Sequence, residues 1–340
     1  MHARRWATLA TVGALAFLVA GCADVGDDPN FGNGSPRPEC RTTQDPNRAP
    51  YAAEPTVVAP DFGTPVELPG PITDDCPNDA VEISRDGSTL YFFWSPVVKG
   101  TPDDLLAPES GTYTARRNGD DPGSFDEPTY FALQKGVEGQ SVDGEVSFTP
   151  DGSQVYFQST REGNTGLVAI EPTDDYLDIY VADVVDGVPG EARNLGEPVN
   201  SSYPDGEHAL SPDGTRLFLT SSRPGGQGGT DIWVAEKTGD GWGEPVVLPA
   251  PINSDANELQ PAFAADDPDT MYFVSDRTGA ATIFRSTFAD GEWGEPEVVI
   301  TGYVGEPSLV ADGSVMYFVQ VLVDDKGIFG SNIWYVERTA

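Results

Sequence analysis

Five times along the chain an apolar strand runs into a tight turn and restarts on an apolar or aromatic run, and in four of these copies the flanking residues are eight apart. The pairs are Ile83 and Tyr91, Phe148 and Tyr156, Leu210 and Phe218, and Leu309 and Tyr317, each enclosing Asp-Gly. The fifth, Phe263 to Tyr272, is one residue longer and carries Asp266-Asp267-Pro268-Asp269. In the clearest copy, Leu210 to Lys237, the turn is Ser211-Pro212-Asp213-Gly214. There Pro fixes φ, Asp supplies a side-chain acceptor, and Gly is free of Cβ strain. A short strand meander of this kind cannot bury its own faces, so it requires copies beside it.

Each hairpin is followed by a third strand, centred on Thr112-Tyr113-Thr114, Ile179-Tyr180-Val181, Ile232-Trp233-Val234, Thr282-Ile283-Phe284 and Ile333-Trp334-Tyr335. A fourth segment follows in every copy but the last, and it is clearest from Asp240 to Ser254. The last copy has no such segment after it, yet Phe62 to Thr73, ahead of the first hairpin, matches that segment almost step by step. The spare strand fits the vacancy. The expectation is an all-β chain, a β-propeller of five four-stranded blades over residues 58–340 in which the amino-terminal strand closes the last blade. The 38 glycines and 30 prolines, scattered between apolar runs, fit many short strands and turns.

The Ser-Pro-Asp-Gly turn at 211–214, the Leu217-Phe218-Leu219 strand, Ser221 with Arg223, and Asp231-Ile232-Trp233-Val234-Ala235 together resemble the PD40, or WD40-like, repeat of TolB-type propellers. The resemblance covers nearly all of the chain after its first sixty residues and bears on fold far more than on function. Because that family commonly has six blades, a six-bladed TolB-like arrangement is the alternative.

The amino terminus reads as an address. Arg4 and Arg5 precede an apolar run to Ala20 that has the layout of a secretory signal. Val19-Ala20-Gly21-Cys22 resembles the lipobox of bacterial lipoproteins, which implies a signal peptide over 1–21 and lipid attachment at Cys22. Several acyl chains there would anchor the chain to a membrane stably. The other reading is an ordinary signal peptide with a coincidental cysteine. By the same resemblance Ala23 after Cys22, in place of the retention aspartate, implies the outer membrane where the cell has one. Residues 22–57 read as a flexible Pro-, Gly- and Asp-rich tether, able to reach roughly 30 to 40 Å. Cys40 in the tether and Cys76 before the first hairpin could pair in an oxidising envelope or stay separate.

Fifty-five acidic residues against 19 basic ones give a formal charge of −36, a field that repels nucleic acid and anionic headgroups. The acid excess fits a solvated surface, or binding of a divalent cation, although no EF-hand spacing is present. Function is expected on the face opposite the uniform Asp-Gly turns, where loops vary: 22 residues separate Tyr91 from Tyr113 but only 12 separate Tyr272 from Phe284. Six places before each turn aspartate stand Ala80, Glu145, Glu207, Gln260 and Glu306, which strand alternation would set on one side near the channel mouth. Such a ring could bind a cation, a cationic group or sugar hydroxyls, or simply bond to neighbouring blades.

His208, the one histidine after the signal, stands where the other copies have Val81, Val146, Pro261 and Pro307, which favours packing. With it alone, and no G-x-S-x-G turn, neither a hydrolytic triad nor a His-rich zinc site is expected, and no cofactor is indicated. The glycine-rich loop Pro224–Gly229 is the other feature peculiar to this copy. Arg161, Arg223 and Arg277 recur in the middle three copies and read as inter-blade ion pairs. Three readings remain open: an envelope-anchored, non-enzymatic scaffold for a protein, peptide or glycan, a carbohydrate hydrolase using channel carboxylates, and a purely architectural propeller in the envelope.

Overall fold

The computed structural model describes residues 32–41, 48–96, 109–133, 141–161, 163–165, 177–239 and 241–339. They form five antiparallel sheets arranged as the blades of a ring. The innermost strands are Asn78–Ile83, Asp143–Phe148, Asp205–Leu210, Glu258–Ala264 and Val304–Leu309, and each lies beside the next around a central channel. The second strands, such as Arg216–Ser221 and Val315–Asp324, are buried almost throughout because a neighbouring blade covers each face. That is why they read as continuous apolar runs rather than as alternation. Outer strands are short, as in Thr129–Tyr130 and Val246–Val247.

The ring closes as the spare segment requires. Val66 and Glu67 pair with Tyr335 and Trp334 of the strand Gly327–Glu337, making the fourth strand of the last blade. Leu68, buried, adds a backbone bond of 2.9 Å to the Ile333 carbonyl. Five sheets, not six, complete the circle.

The Asp-Gly turns follow the predicted chemistry. The Gly214 amide donates to the Ser211 carbonyl at 2.8 Å, while the Asp213 carboxylate accepts from Ser211 Oγ at 2.6 Å and from the Thr215 amide at 3.0 Å. These bonds hold the Asp213 carboxyl down to about 2. Gly214 sits at φ 70°, and a Cβ there would lie 2.9 Å from Cδ of Pro150 on the adjacent blade, so glycine is needed both for the turn and for the contact between turns.

The segment expected to be a free tether is docked wherever it is described. The Gly34 amide donates to the Tyr130 carbonyl at 2.8 Å and the Tyr130 amide to Ser35 at 2.7 Å, extending the outer edge of the first blade. Thr56 and Val57 pair with Thr301 and Ile300 along the outer edge of the fourth. A disulfide joins Cys40 to the fully buried Cys76, with Cα atoms 5.7 Å apart. The physical reason is edge satisfaction: unpaired outer strands expose backbone donors and acceptors that an extended segment can fill. Body-bound chain therefore begins well before residue 58. Cys22 and the signal lie outside the described residues.

Candidate functional site in the central channel

Each inner strand enters the sheet at the loop face and is interrupted at the same point. Pairing stops after Asp79, Gly144, Gly206, Leu259 and Gly305, and resumes at Glu82, Ser147, Ala209, Ala262 and Ser308. The first residue of every bulge is left-handed: Ala80 at φ 52°, Glu145 at 51°, Glu207 at 40°, Gln260 at 54° and Glu306 at 55°. These are the five ring positions picked out from the sequence. Their convergence arises from the bulges and not, as expected, from plain alternation. An extra residue in the inner strand re-aims its side chain, at a cost of order 1 kcal/mol or more for each non-glycine residue. Since Ala80 shares the conformation without any polar group, the bulge belongs to the scaffold and the carboxyl groups are what is particular to the site.

Four of the five side chains lie deep in one cavity of about 520 Å³. Gln260 links two blades, accepting from the Glu306 amide at 2.8 Å and donating to Glu306 Oε1 at 3.4 Å. The Val81 amide donates to Glu306 Oε2 at 3.3 Å, and the Glu207 amide donates to Gln158 Oε1 at 2.8 Å. The Glu145 and Glu306 carboxyls are close enough for Glu145 to raise the proton affinity of Glu306. Two oxygens remain without a partner, Glu145 Oε1 and Glu207 Oε2. Glu207 and Glu306 are only 8 % and 5 % exposed. Burial, reinforced by neighbouring carboxylates including Asp79, pushes Glu207 up to about 8 and drives Glu145 and Glu306 well above the ordinary carboxyl value.

The cavity walls include Val81, Val146, His208, Pro261 and Pro307, and Asp86, Asp151 and Asp186 stand toward its mouth. The cavity therefore opens through the Asp-Gly turns and the Asp186-Gly187 hairpin, not on the variable-loop face where function was expected. Inner strands run from the loop face to the turn face, so the space beyond their bulges leads to the turns. Arg85 spans this mouth, its Nη2 donating to the Pro212 carbonyl two blades away.

His208 takes the packing role suggested by its counterparts. It is buried, its ring centre lies 6.5 Å from that of Tyr156, and neither ring nitrogen has a side-chain partner. Burial lowers it to about 4, opposed by the Tyr156 backbone. Among the described residues no side chain hydrogen-bonds to its ring. The glycine-rich loop is also structural: the Gln227 amide donates to Asp231 Oδ2 at 3.0 Å, and a Cβ on Gly228 would lie 1.8 Å from the Ala256 carbonyl oxygen. The three repeated arginines pair within their own blades, Arg161 with Asp143, Arg223 with Asp205 at 2.6 Å and Arg277 with Glu258 at 3.1 Å. They reach between blades only through connector carbonyls, such as Pro198 to Arg223 Nη1 at 3.3 Å.

Sequence reasoning missed Glu82 and Asp79 on the first blade. Glu82 is held near 7 by burial, eased by the Ser308 hydroxyl bond of 2.7 Å and by Arg85. Blade-by-blade comparison could have flagged Glu82, since the matching residues are Ser147, Ala209, Ala262 and Ser308. Among the described residues no three His, Cys, Asp or Glu side chains come together as a metal site.

Fold and cavity define a five-bladed β-propeller with a channel floored by carboxyl groups. No protein-family model matches the chain. No curated protein matches it either. Solved structures do. A glycoside hydrolase is 13 % identical at a TM-score of 0.53, covering 84 % of this chain and 94 % of the other. A thermostable family-43 glycoside hydrolase is 14 % identical at 0.50, covering 79 % and 91 %. A protein from Agrobacterium tumefaciens provisionally named TolB is 18 % identical at 0.43, covering 78 % and 76 %. At these identities the likeness establishes the fold alone.

Proposed function

We propose that the chain is a non-enzymatic binding module, held at the cell envelope by lipid on Cys22, that takes a projecting part of a protein, peptide or glycan into its channel from the turn face. The observation that carries this reading is the unpartnered oxygen of Glu207, buried at the floor of an open cavity. A buried acceptor without a partner costs about 1–3 kcal/mol, which a ligand donor would recover. The anchoring half rests on the residues Val19 to Cys22.

Carbohydrate hydrolysis is the competing reading, favoured by the channel carboxyls in a fold shared with glycoside hydrolases. The raised proton affinity of Glu145 and Glu306, from burial and neighbouring carboxylates, argues against this pair as its catalytic carboxyls. Glycosidases separate theirs by about 5 Å or more, to admit the glycosidic bond or a water, and keep one ionised. Here all three ring glutamates are held toward the protonated form.

The test pairs turnover with capture. The full chain should release no nitrophenol from a panel of p-nitrophenyl glycosides, whereas a photoreactive residue replacing Asp151 should crosslink a ligand in intact envelopes, and E145Q/E207Q should lose the crosslink. Turnover abolished by E145Q/E207Q would establish the hydrolase instead. Cys22→Ser should move the protein from the membrane to the soluble fraction, and retention at the membrane would overturn the anchoring.

A further inference from the structure

Building on the binding-module reading, we infer that the channel is a receptor for an organic cation, a primary ammonium carried on an aliphatic stem, whose head reaches Glu145 and Glu207 while its stem lies along the channel wall. The first ground is donor and acceptor inventory. The unpartnered carboxyl oxygens at the floor, Glu145 Oε1 and Glu207 Oε2, become acceptors only when their protons leave, and an ammonium only donates. Gln260, the amide at the floor, is already engaged with Glu306 through both its oxygen and its nitrogen.

The second ground is the wall. Between floor and mouth it is lined by Val81, Val146, Pro261 and Pro307, which suits methylenes beneath a charged head. That distinguishes an organic cation from a metal ion, as does the lack of three convergent ligands among the described residues. The third ground is charge. Asp86, Asp151 and Asp186 stand at the mouth, and the one basic side chain lining the cavity besides His208 is Arg85, tied across the mouth to the Pro212 carbonyl rather than to the floor.

Binding is linked to protons. The groups around the floor are Asp79 and Glu82 of the first blade, with Arg85 held at the mouth, Glu145 of the second, Glu207 and His208 of the third, neutral Gln260 of the fourth and Glu306 of the fifth. With Glu207 protonated up to about pH 8, an arriving ammonium displaces a proton, and affinity rises with pH until that value is passed. The slope approaches about tenfold per pH unit for each proton released.

Calorimetric titration of the full chain tests this, with 150 mM salt to screen the acidic surface beyond about 8 Å. The probes are spermidine, a capped tetralysine peptide, and the same peptide with its side chains acetylated. The expected result is one saturable site for spermidine, tetralysine or both, no binding of the acetylated peptide, and affinity at least about tenfold weaker at pH 6 than at pH 8. Binding of spermidine alone identifies a free amine as the ligand, and binding of tetralysine alone identifies a basic side chain.

In E145Q/E207Q the site should be lost while the melting temperature is kept, because Gln mimics the protonated acid. Glu207→Gln alone should weaken it at least about tenfold and abolish most of the pH dependence. Equal binding by wild type and both variants, binding of the acetylated peptide, or no heat with either amine would overturn the inference. If neither amine binds while the Asp151-position crosslink persists, the cation assignment fails and the binding-module reading stands; if both are absent, both fail.

Discussion

At Glu207, burial and the Asp79 carboxylate hold the proton to about pH 8, whereas the unfolded chain releases it near 4.5. Between those values the folded state binds more protons than the unfolded one, so stability falls as pH rises, by up to about 1.4 kcal/mol per unit. Glu207→Gln should remove this component. In urea unfolding at pH 5 and pH 8, wild type should lose more stability than the variant by roughly 2 kcal/mol or more. Parallel pH profiles would show that the carboxyl is not held protonated. The ring positions were legible because the turn aspartates set a common register for Glu145, Glu207, Gln260 and Glu306. Their left-handed backbone was not, because side-chain periodicity carries no information about a single extra residue, and none of these positions is a glycine that would have signalled it.

Among the elements, the inner strand and the arginine behind it form a clamp. Asp205 is fully buried, with one oxygen on Arg223 and the other on the Ser201 amide and hydroxyl. Arg223→Ala should cost about 3–5 kcal/mol by stranding that carboxylate. Arg193→Ala, which breaks the exposed pair with Asp183 at 3.1 Å, should cost under about 1 kcal/mol. Chemical denaturation of both variants checks the contrast, and equal losses would contradict it. Recurrence made the arginines legible as structural. Their partners were not, because whether a guanidinium meets its own blade or the next depends on strand register and on connector path. The tether was misread for a related reason: polar, Pro-rich sequence looks unstructured, and nothing local in Gly34 or Thr56 reveals the open sheet edges that receive them.

For the whole molecule, the closing strand was legible because one four-strand count was short at the end of the chain and one strand was spare at its start. The face to which the channel cavity leads was not. Loop variability pointed to one side of the ring, while the cavity leads from the bulges to the other, between the Asp-Gly turns and the Asp186-Gly187 hairpin. These two faces can be told apart in the cell. Photoreactive residues placed singly at Asp151, on the turn face, and at Tyr203, 38 % exposed on the loop face, should report the ligand's position in intact envelopes. A specific crosslink is expected from position 151 that disappears in E145Q/E207Q, and none from position 203. A crosslink from 203 that survives E145Q/E207Q, with none from 151, would contradict it.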